Sequence, residues 1–124
     1  MFSNKVVLVT GAAGGLGSAV CHFFKKMDAK VIAVDLELSL LETVFGSDKE
    51  NFFLFSVDLT ERNQTRSVFE RILIDHDRID IVCNIAGGFS MGEPVHEVSD
   101  SKWDFLFDLN VKSILHTSSV LVPN

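Results

Sequence analysis

The 124 residues contain no tyrosine, although phenylalanine occurs eleven times and tryptophan once. Acid–base chemistry that needs a tyrosine hydroxyl is therefore excluded from these residues. Cysteine is scarce too. Cys21 and Cys83 lie inside apolar segments and are too few for a disulfide framework in a chain this small. They are expected to be buried free thiols in a reducing compartment. No basic run exists beyond Lys25 and Lys26, which suit a solvated helix face, and the net charge is −6. Such a surface repels phosphate, so a nucleic-acid partner is not expected. No apolar run approaches the roughly 20 residues of a membrane-spanning helix. Lys5 is followed by VVLVT and then by glycines, not by a secretory leader's apolar stretch. A soluble cytoplasmic protein with no membrane partner is the expectation. What is present supports a packed core: 47% of residues are hydrophobic and 23% charged, unlike a disordered chain. The length suits one domain over residues 1–124.

Short apolar runs alternate with helical patterns. Lys5–Thr10, Lys30–Asp35, Phe52–Val57 and Ile79–Cys83 are predicted strands; runs without polar alternation suit parallel strands buried on both faces. Between the first two, Leu16, Ala19, Val20, Phe23, Phe24 and Met27 form one apolar stripe at helical spacing. A short helix over Ser39–Phe45 ends near Gly46. Thr60 is the predicted N-cap of a third helix, with Val68, Phe69, Ile72 and Leu73 as its buried face. A loop over Phe89–Val98 follows. Ser99 then caps a last helix with Trp103, Leu106, Phe107, Asn110, Val111, Ile114, Leu115 and Ser118 along one face. Strands alternating with helices imply an α/β fold with a parallel sheet and right-handed crossovers.

Thr10-Gly11-Ala12-Ala13-Gly14-Gly15-Leu16-Gly17 joins the first strand to the first helix. A strand, a glycine-rich turn and a helix N-terminus together make an anion site, because backbone approaches a phosphate without Cβ clash and free N–H groups point at it. Gly11 permits the tight turn, Gly15 the close approach of a pyrophosphate, and Gly17 the packing of the helix near the sheet. The context implies dinucleotide binding. His22, His76, His96 and His116 show no metal-ligand spacing and read as surface or core residues, so no metal site is expected. Ser118 and Ser119 have no activating base beside them in sequence.

The TGxxxGxG spacing resembles the short-chain dehydrogenase/reductase family. So do Asp35 at the end of the second strand, Asp58-Leu59 after the third, Asn84-Ile85-Ala86-Gly87 after the fourth, and Asn110 in the next helix. The resemblance covers nearly the whole chain. It implies a Rossmann-type doubly wound sheet in strand order 3-2-1-4, and cofactor contacts from Gly11, Ala13, Gly14, Gly15, Leu16, Gly17, Asp35, Leu36, Asp58, Leu59, Asn84, Ala86 and Gly87. Asp35 would bond the adenosine ribose hydroxyls. Its charge would repel a 2′-phosphate, and neither Gly14 nor Leu36 supplies a compensating cation, so NAD is favoured over NADP. Asp58 would bond the adenine amine and Leu59 would line its pocket. Asn84, Ala86 and Gly87 would support the sheet and the nicotinamide-side ribose. Ile85 departs from the family's usual second Asn. Asn110 would hold a proton-relay water in its ancestral role.

The family's hydride transfer between nicotinamide and an alcohol or carbonyl uses a Ser, a Tyr and a Lys, and the YxxxK motif is missing here. The chain is expected to be the NAD-binding half of such an oxidoreductase, truncated after the fourth strand and its following helix and inactive by itself. A non-catalytic NAD-binding module, or an interaction module, from a naturally truncated relative stays open beside it. The fourth strand would be an unprotected edge, so self-association into a homo-oligomer is expected. The substrate is not legible. Phe89, Met91 and Val95 suggest an apolar wall on the loop over Gly88–Val98.

Overall fold

β1 (Val6–Thr10) is buried at all five positions, which is why its sequence shows no polar alternation. The computed structural model describes residues 1–48, 50–90 and 92–123. Among them β1 is flanked by β2 (Lys30–Asp35) and β4 (Ile81–Asn84), and β3 (Phe52–Ser56) pairs with the outer side of β2. The sheet is parallel throughout, with Val6 opposite Lys30, Val7 opposite Ile81 and Val31 opposite Phe52. Its order is β3-β2-β1-β4, as expected.

Side chains of β1 alternate between two cores. Val7 and Val9 pack with Cys21 of α1 (Gly15–Lys26) and with Leu41 and Phe45 of α2 (Leu38–Phe45). Val6 and Leu8 pack with Phe69 and Ile72 of α3 (Arg62–His76), and with Val120 and Leu121 of α5 (Ser113–Leu121). Helices thus cover both faces, the doubly wound arrangement.

Several local expectations shift. The buried side of α1 is Gly17 and Cys21, with Val20 and Phe24 partly buried, while Leu16, Ala19 and Phe23 are exposed. Small residues face the sheet because the helix starts so close to it. β3 ends at Ser56, one residue short of Val57, and β4 begins at Ile81 instead of Ile79. Thr60 does not cap α3; Glu61 holds that position without a side-chain bond, and Thr60 bonds Asp58 instead. Ser99 does cap α4 (Asp100–Phe107), accepting from the Lys102 N–H at 3.2 Å.

The last helix is not continuous. A π-turn over Asp108–Lys112 separates α4 from α5. It rotates the following face, so Ser113, His116, Thr117, Val120 and Leu121 turn inward while Val111, Ile114 and Leu115 are exposed; Trp103 and Phe107, which precede it, are exposed as well. Cys21 is buried as expected, and burial, with Cys83 nearby, pushes its thiol up to about 12. Cys83 is only half-buried, because β4 has β1 as its sole strand partner among the described residues. Its thiol too is raised by burial. His22 and His96 are exposed, whereas His76 and His116 are buried. Among the described residues no helix is long and apolar enough to cross a membrane. Met91, expected on an apolar wall, lies outside the described residues; Phe89 and Val95 of that loop are exposed.

Candidate functional site

The carboxyl ends of all four strands open on one cleft of ≈ 620 Å³. Parallel α/β sheets bind ligands there, because crossover helices begin at that edge and aim free N–H groups into it. The turn after β1 forms its floor. Gly11 has φ +66°, and a Cβ there would stand 2.8 Å from the Ala86 N and Cα. Only glycine satisfies both demands. A Cβ on Gly17 would stand 1.9 Å from the Gly11 carbonyl oxygen, so the first turn of α1 rests on the loop backbone. Gly15 differs, since a Cβ there would meet nothing within 4 Å among the described residues. The N-terminus of α1 therefore faces open space, with its partial positive charge unopposed by any acidic side chain in the first turn.

Asp35 closes β2. Its Oδ2 accepts from the Ala13 N–H at 2.9 Å and its Oδ1 from the Leu36 N–H at 2.7 Å, which fixes the carboxylate against the glycine loop. Asp58 follows β3. Its Oδ1 accepts from the Thr60 N–H (3.0 Å) and hydroxyl (2.6 Å), and its own N–H donates to Gln64 Oε1 (2.6 Å). Leu59 is buried beside it, in the same core cluster as Val57. Among the described residues, Asp35 and Asp58 are the only charged side chains lining the cleft, with neither Lys nor Arg among its walls.

The β4 side is built by two polar anchors. Thr10 is buried, and its hydroxyl oxygen accepts from the Ile85 and Ala86 N–H groups at 3.2 and 3.1 Å. One side chain of β1 thus sets where the chain leaves β4. Asn110 sits in the π-turn. Its Oδ1 accepts from the Gly88 N–H at 3.0 Å, and its Nδ2 donates to the Gly88 and Leu106 carbonyls, both at 2.9 Å. Both amide hydrogens are thereby used. A Cβ on Gly87 would lie 2.6 Å from Oδ1, so the clamp requires glycine there. In this structure the Asn110 side chain holds backbone in place.

The structure brings Gly11, Ala13, Gly14, Gly15, Leu16, Gly17, Asp35, Leu36, Asp58, Leu59, Ala86 and Gly87 together around the cleft. Asn84 stands outside its lining, opposite Thr10 in the strand register. Leu40, Val57, Thr60, Ile85, Phe105 and Leu109 also line it and were not expected. Phe105 and Leu109 lie off the stripe counted at constant helical spacing, and the π-turn breaks that spacing. Thr10 carried a signal, as the hydroxyl residue directly before the loop. Four strands at about 4.8 Å separation span roughly 14 Å. Acidic and apolar residues lie on the β2–β3 side, the open helix N-terminus at β1, and bare glycine backbone beyond β4. That donor set fits a dinucleotide: carboxylates for sugar hydroxyls, N–H groups for phosphate and apolar walls for a base.

Residues 5–124 match the short chain dehydrogenase family. The chain is 33% identical over 127 aligned residues to the cyclopentanol dehydrogenase of Comamonas sp. (strain NCIMB 9872), covering 98% of this chain and 50% of that protein. A 3-ketoacyl-(acyl-carrier-protein) reductase from Brucella melitensis complexed with NADH superposes with TM-score 0.89 at 25% identity, over 99% of this chain and 50% of that one. A metagenomic short-chain oxidoreductase in complex with NADP superposes with TM-score 0.92 at 25% identity, over 98% of this chain and 57% of that one. The chain spans about half the length of several curated relatives it matches. Sheet order, glycine loop and sequence match agree, and the chain belongs to the short chain dehydrogenase family of oxidoreductases.

Proposed function

We propose that these residues form the NAD-binding part of an oxidoreductase acting on an alcohol or carbonyl substrate. The observation that carries the choice of NAD is the Asp35 carboxylate, fixed by the Ala13 and Leu36 N–H groups in a cleft whose walls hold no cation among the described residues. Both Asp35 oxygens keep lone pairs after those bonds and can accept from ribose hydroxyls. A 2′-phosphate would bring about two negative charges to the same place. At roughly 4 Å, each like-charge pair costs about 1 kcal/mol in water and more in a partly shielded cleft.

In this reading the α1 N-terminus holds the pyrophosphate over Gly15, and Asp58 accepts from the adenine amine between Leu36, Leu40 and Leu59. Gly87 offers backbone to the second ribose, and Asn110 keeps that backbone in place. The bound cofactor supplies hydride exchange at its nicotinamide ring. The family resemblance assigns proton transfer to a tyrosine that these 124 residues do not include, so the proposal is binding without turnover by them alone. The test is calorimetric titration of the 124-residue chain with NAD+ and NADP+. NAD+ should bind at least about tenfold more tightly. Equal affinities, or a preference for NADP+, reject the assignment.

A further inference from the structure

The segment after β3 is held from outside its own strand. The Asp58 N–H donates to Gln64, the Asp58 carboxylate accepts from Thr60, and its carbonyl accepts from the Thr65 hydroxyl at 3.4 Å. All three partners come from the turn itself or from α3. One further bond arrives from 57 positions away: His116 Nδ1 lies 2.8 Å from the Leu59 carbonyl oxygen. A carbonyl only accepts, so Nδ1 carries the hydrogen and donates. His116 is 3% exposed and Leu59 7%. The neighbours on that side are apolar, with Val57, Val120 and Leu121 in the same cluster. Water does not readily replace a donor at such a place.

We infer that His116 is a positioning residue for the adenine end of the cleft: by donating to the Leu59 carbonyl it sets the backbone from which Asp58 and Leu59 face the ligand. This rests on the nucleotide reading proposed above. A histidine presents Nδ1 at a fixed reach from the helix, and α5 is itself seated on α3, so the bond ties the segment after β3 to the helix that follows Asn110. A residue with no donor at the δ position frees the Leu59 carbonyl. The peptide is then free to rotate toward the cleft, which Leu59 lines. Asparagine carries a donor, Nδ2, at the same number of bonds from Cα as Nδ1. Glutamine places its amide one carbon further out.

The experiment titrates the full 124-residue chain and its His116→Leu, His116→Gln and His116→Asn variants with 5′-AMP, below each protein's melting temperature. AMP carries the adenine, ribose and phosphate and needs nothing beyond β1 to β3. The expected result is about a tenfold loss of AMP affinity in His116→Leu and His116→Gln, with His116→Asn within about twofold of the parent. Should His116→Leu fail to fold, the contrast between glutamine and asparagine still decides, since both are polar and differ in reach. Variants that melt at lower temperature but bind AMP like the parent overturn the inference, because that is what a merely structural role predicts. A parent chain that binds no AMP overturns the nucleotide reading and this inference together. A parent that binds AMP, with affinity indifferent to residue 116, overturns this inference alone.

Discussion

Two glycines two residues apart should respond to the same substitution in opposite ways. In Gly17→Ala the new methyl would begin 1.9 Å from the Gly11 carbonyl oxygen and 2.9 Å from the Ala12 Cα. Ordinary contact lies near 3.5 Å, so helix and loop must separate by roughly 1.5 Å. The loop cannot easily give way. The Ala12 N–H bonds the Val34 carbonyl at 3.1 Å, and the Gly14 N–H bonds the Gly11 carbonyl at 3.2 Å. Overpacking of this kind costs about 1–3 kcal/mol, and backbone against backbone belongs at the upper end. For a domain this size the melting temperature should fall by about 10 °C. In Gly15→Ala the methyl meets nothing within 4 Å. Stability should hold, or rise by a few tenths of a kcal/mol through helix propensity. The methyl would, however, fill the space over the first turn of α1 where a phosphate must approach. Losing one charge-assisted hydrogen bond there costs about 1.5–3 kcal/mol, or roughly 10- to 100-fold in NAD+ affinity. Thermal denaturation followed by circular dichroism, together with calorimetric titration, separates the two effects. A Gly15→Ala protein that binds NAD+ like the parent would refute the phosphate position. A Gly17→Ala protein with the parental melting temperature would refute the close packing of α1.

Two further outcomes follow from the polar anchors of the sheet. Thr10→Val leaves the Ile85 and Ala86 N–H groups without their acceptor, and should lower unfolding free energy by about 2–4 kcal/mol in urea titrations; Thr10→Ser should recover most of it, and a Val variant within about 0.5 kcal/mol of the parent contradicts the anchor. Asp80 accepts the Val6 N–H at 2.8 Å; that bond first, then Arg78 and Lys5, holds its carboxyl below the usual range. A carboxyl whose folded value is depressed contributes above its unfolded value near 4, and the contribution is lost as pH falls through the lower folded value. Asp80→Asn should therefore unfold at lower urea than the parent at pH 7, with the gap closing below about pH 4. A gap that stays constant down to about pH 2.5 contradicts this account.

Most of the architecture was legible in the sequence for one physical reason. Strands buried on both faces must be apolar at consecutive positions, and KVVLVT and KVIAVD are. The glycine roles were legible because steric demands on backbone leave no alternative at Gly11 or Gly17. The last helix was not legible. Periodicity counts apolar residues at constant rotation, and the π-turn at Asp108–Lys112 adds a residue to one turn. After it the face that reads as apolar, at Val111, Ile114 and Leu115, points outward, and a face with Ser113, His116 and Thr117 turns inward, while Trp103 and Phe107 are exposed already before it. Thr60 read as a cap because Ser and Thr before a helix usually are. Here the competing acceptor, Asp58, lies two residues upstream and takes the hydroxyl.

Four polar positions beside the cleft share a feature that bears on function. Thr10, Thr60, Asn110 and His116 are polar residues that bind backbone or loop groups beside the cleft, not one another. A buried polar group costs free energy unless it is bonded. Thr10, Asn110 and His116 each fix a particular carbonyl or N–H, and Thr60 fixes the Asp58 carboxylate, where an apolar residue of equal volume would leave those groups free to turn. Thr10 and Asn110 fix the exit from β4, while Thr60 and His116 fix the exit from β3. The glycines between them cannot hold a conformation through side-chain packing. A loop that must leave room for a ligand is in the same position, since the ligand's space cannot also be filled by protein. Rigidity has to come from behind, through hydrogen bonds reaching in from neighbouring strands and helices. The residues that break the amphipathic pattern of this chain sit where such support is required.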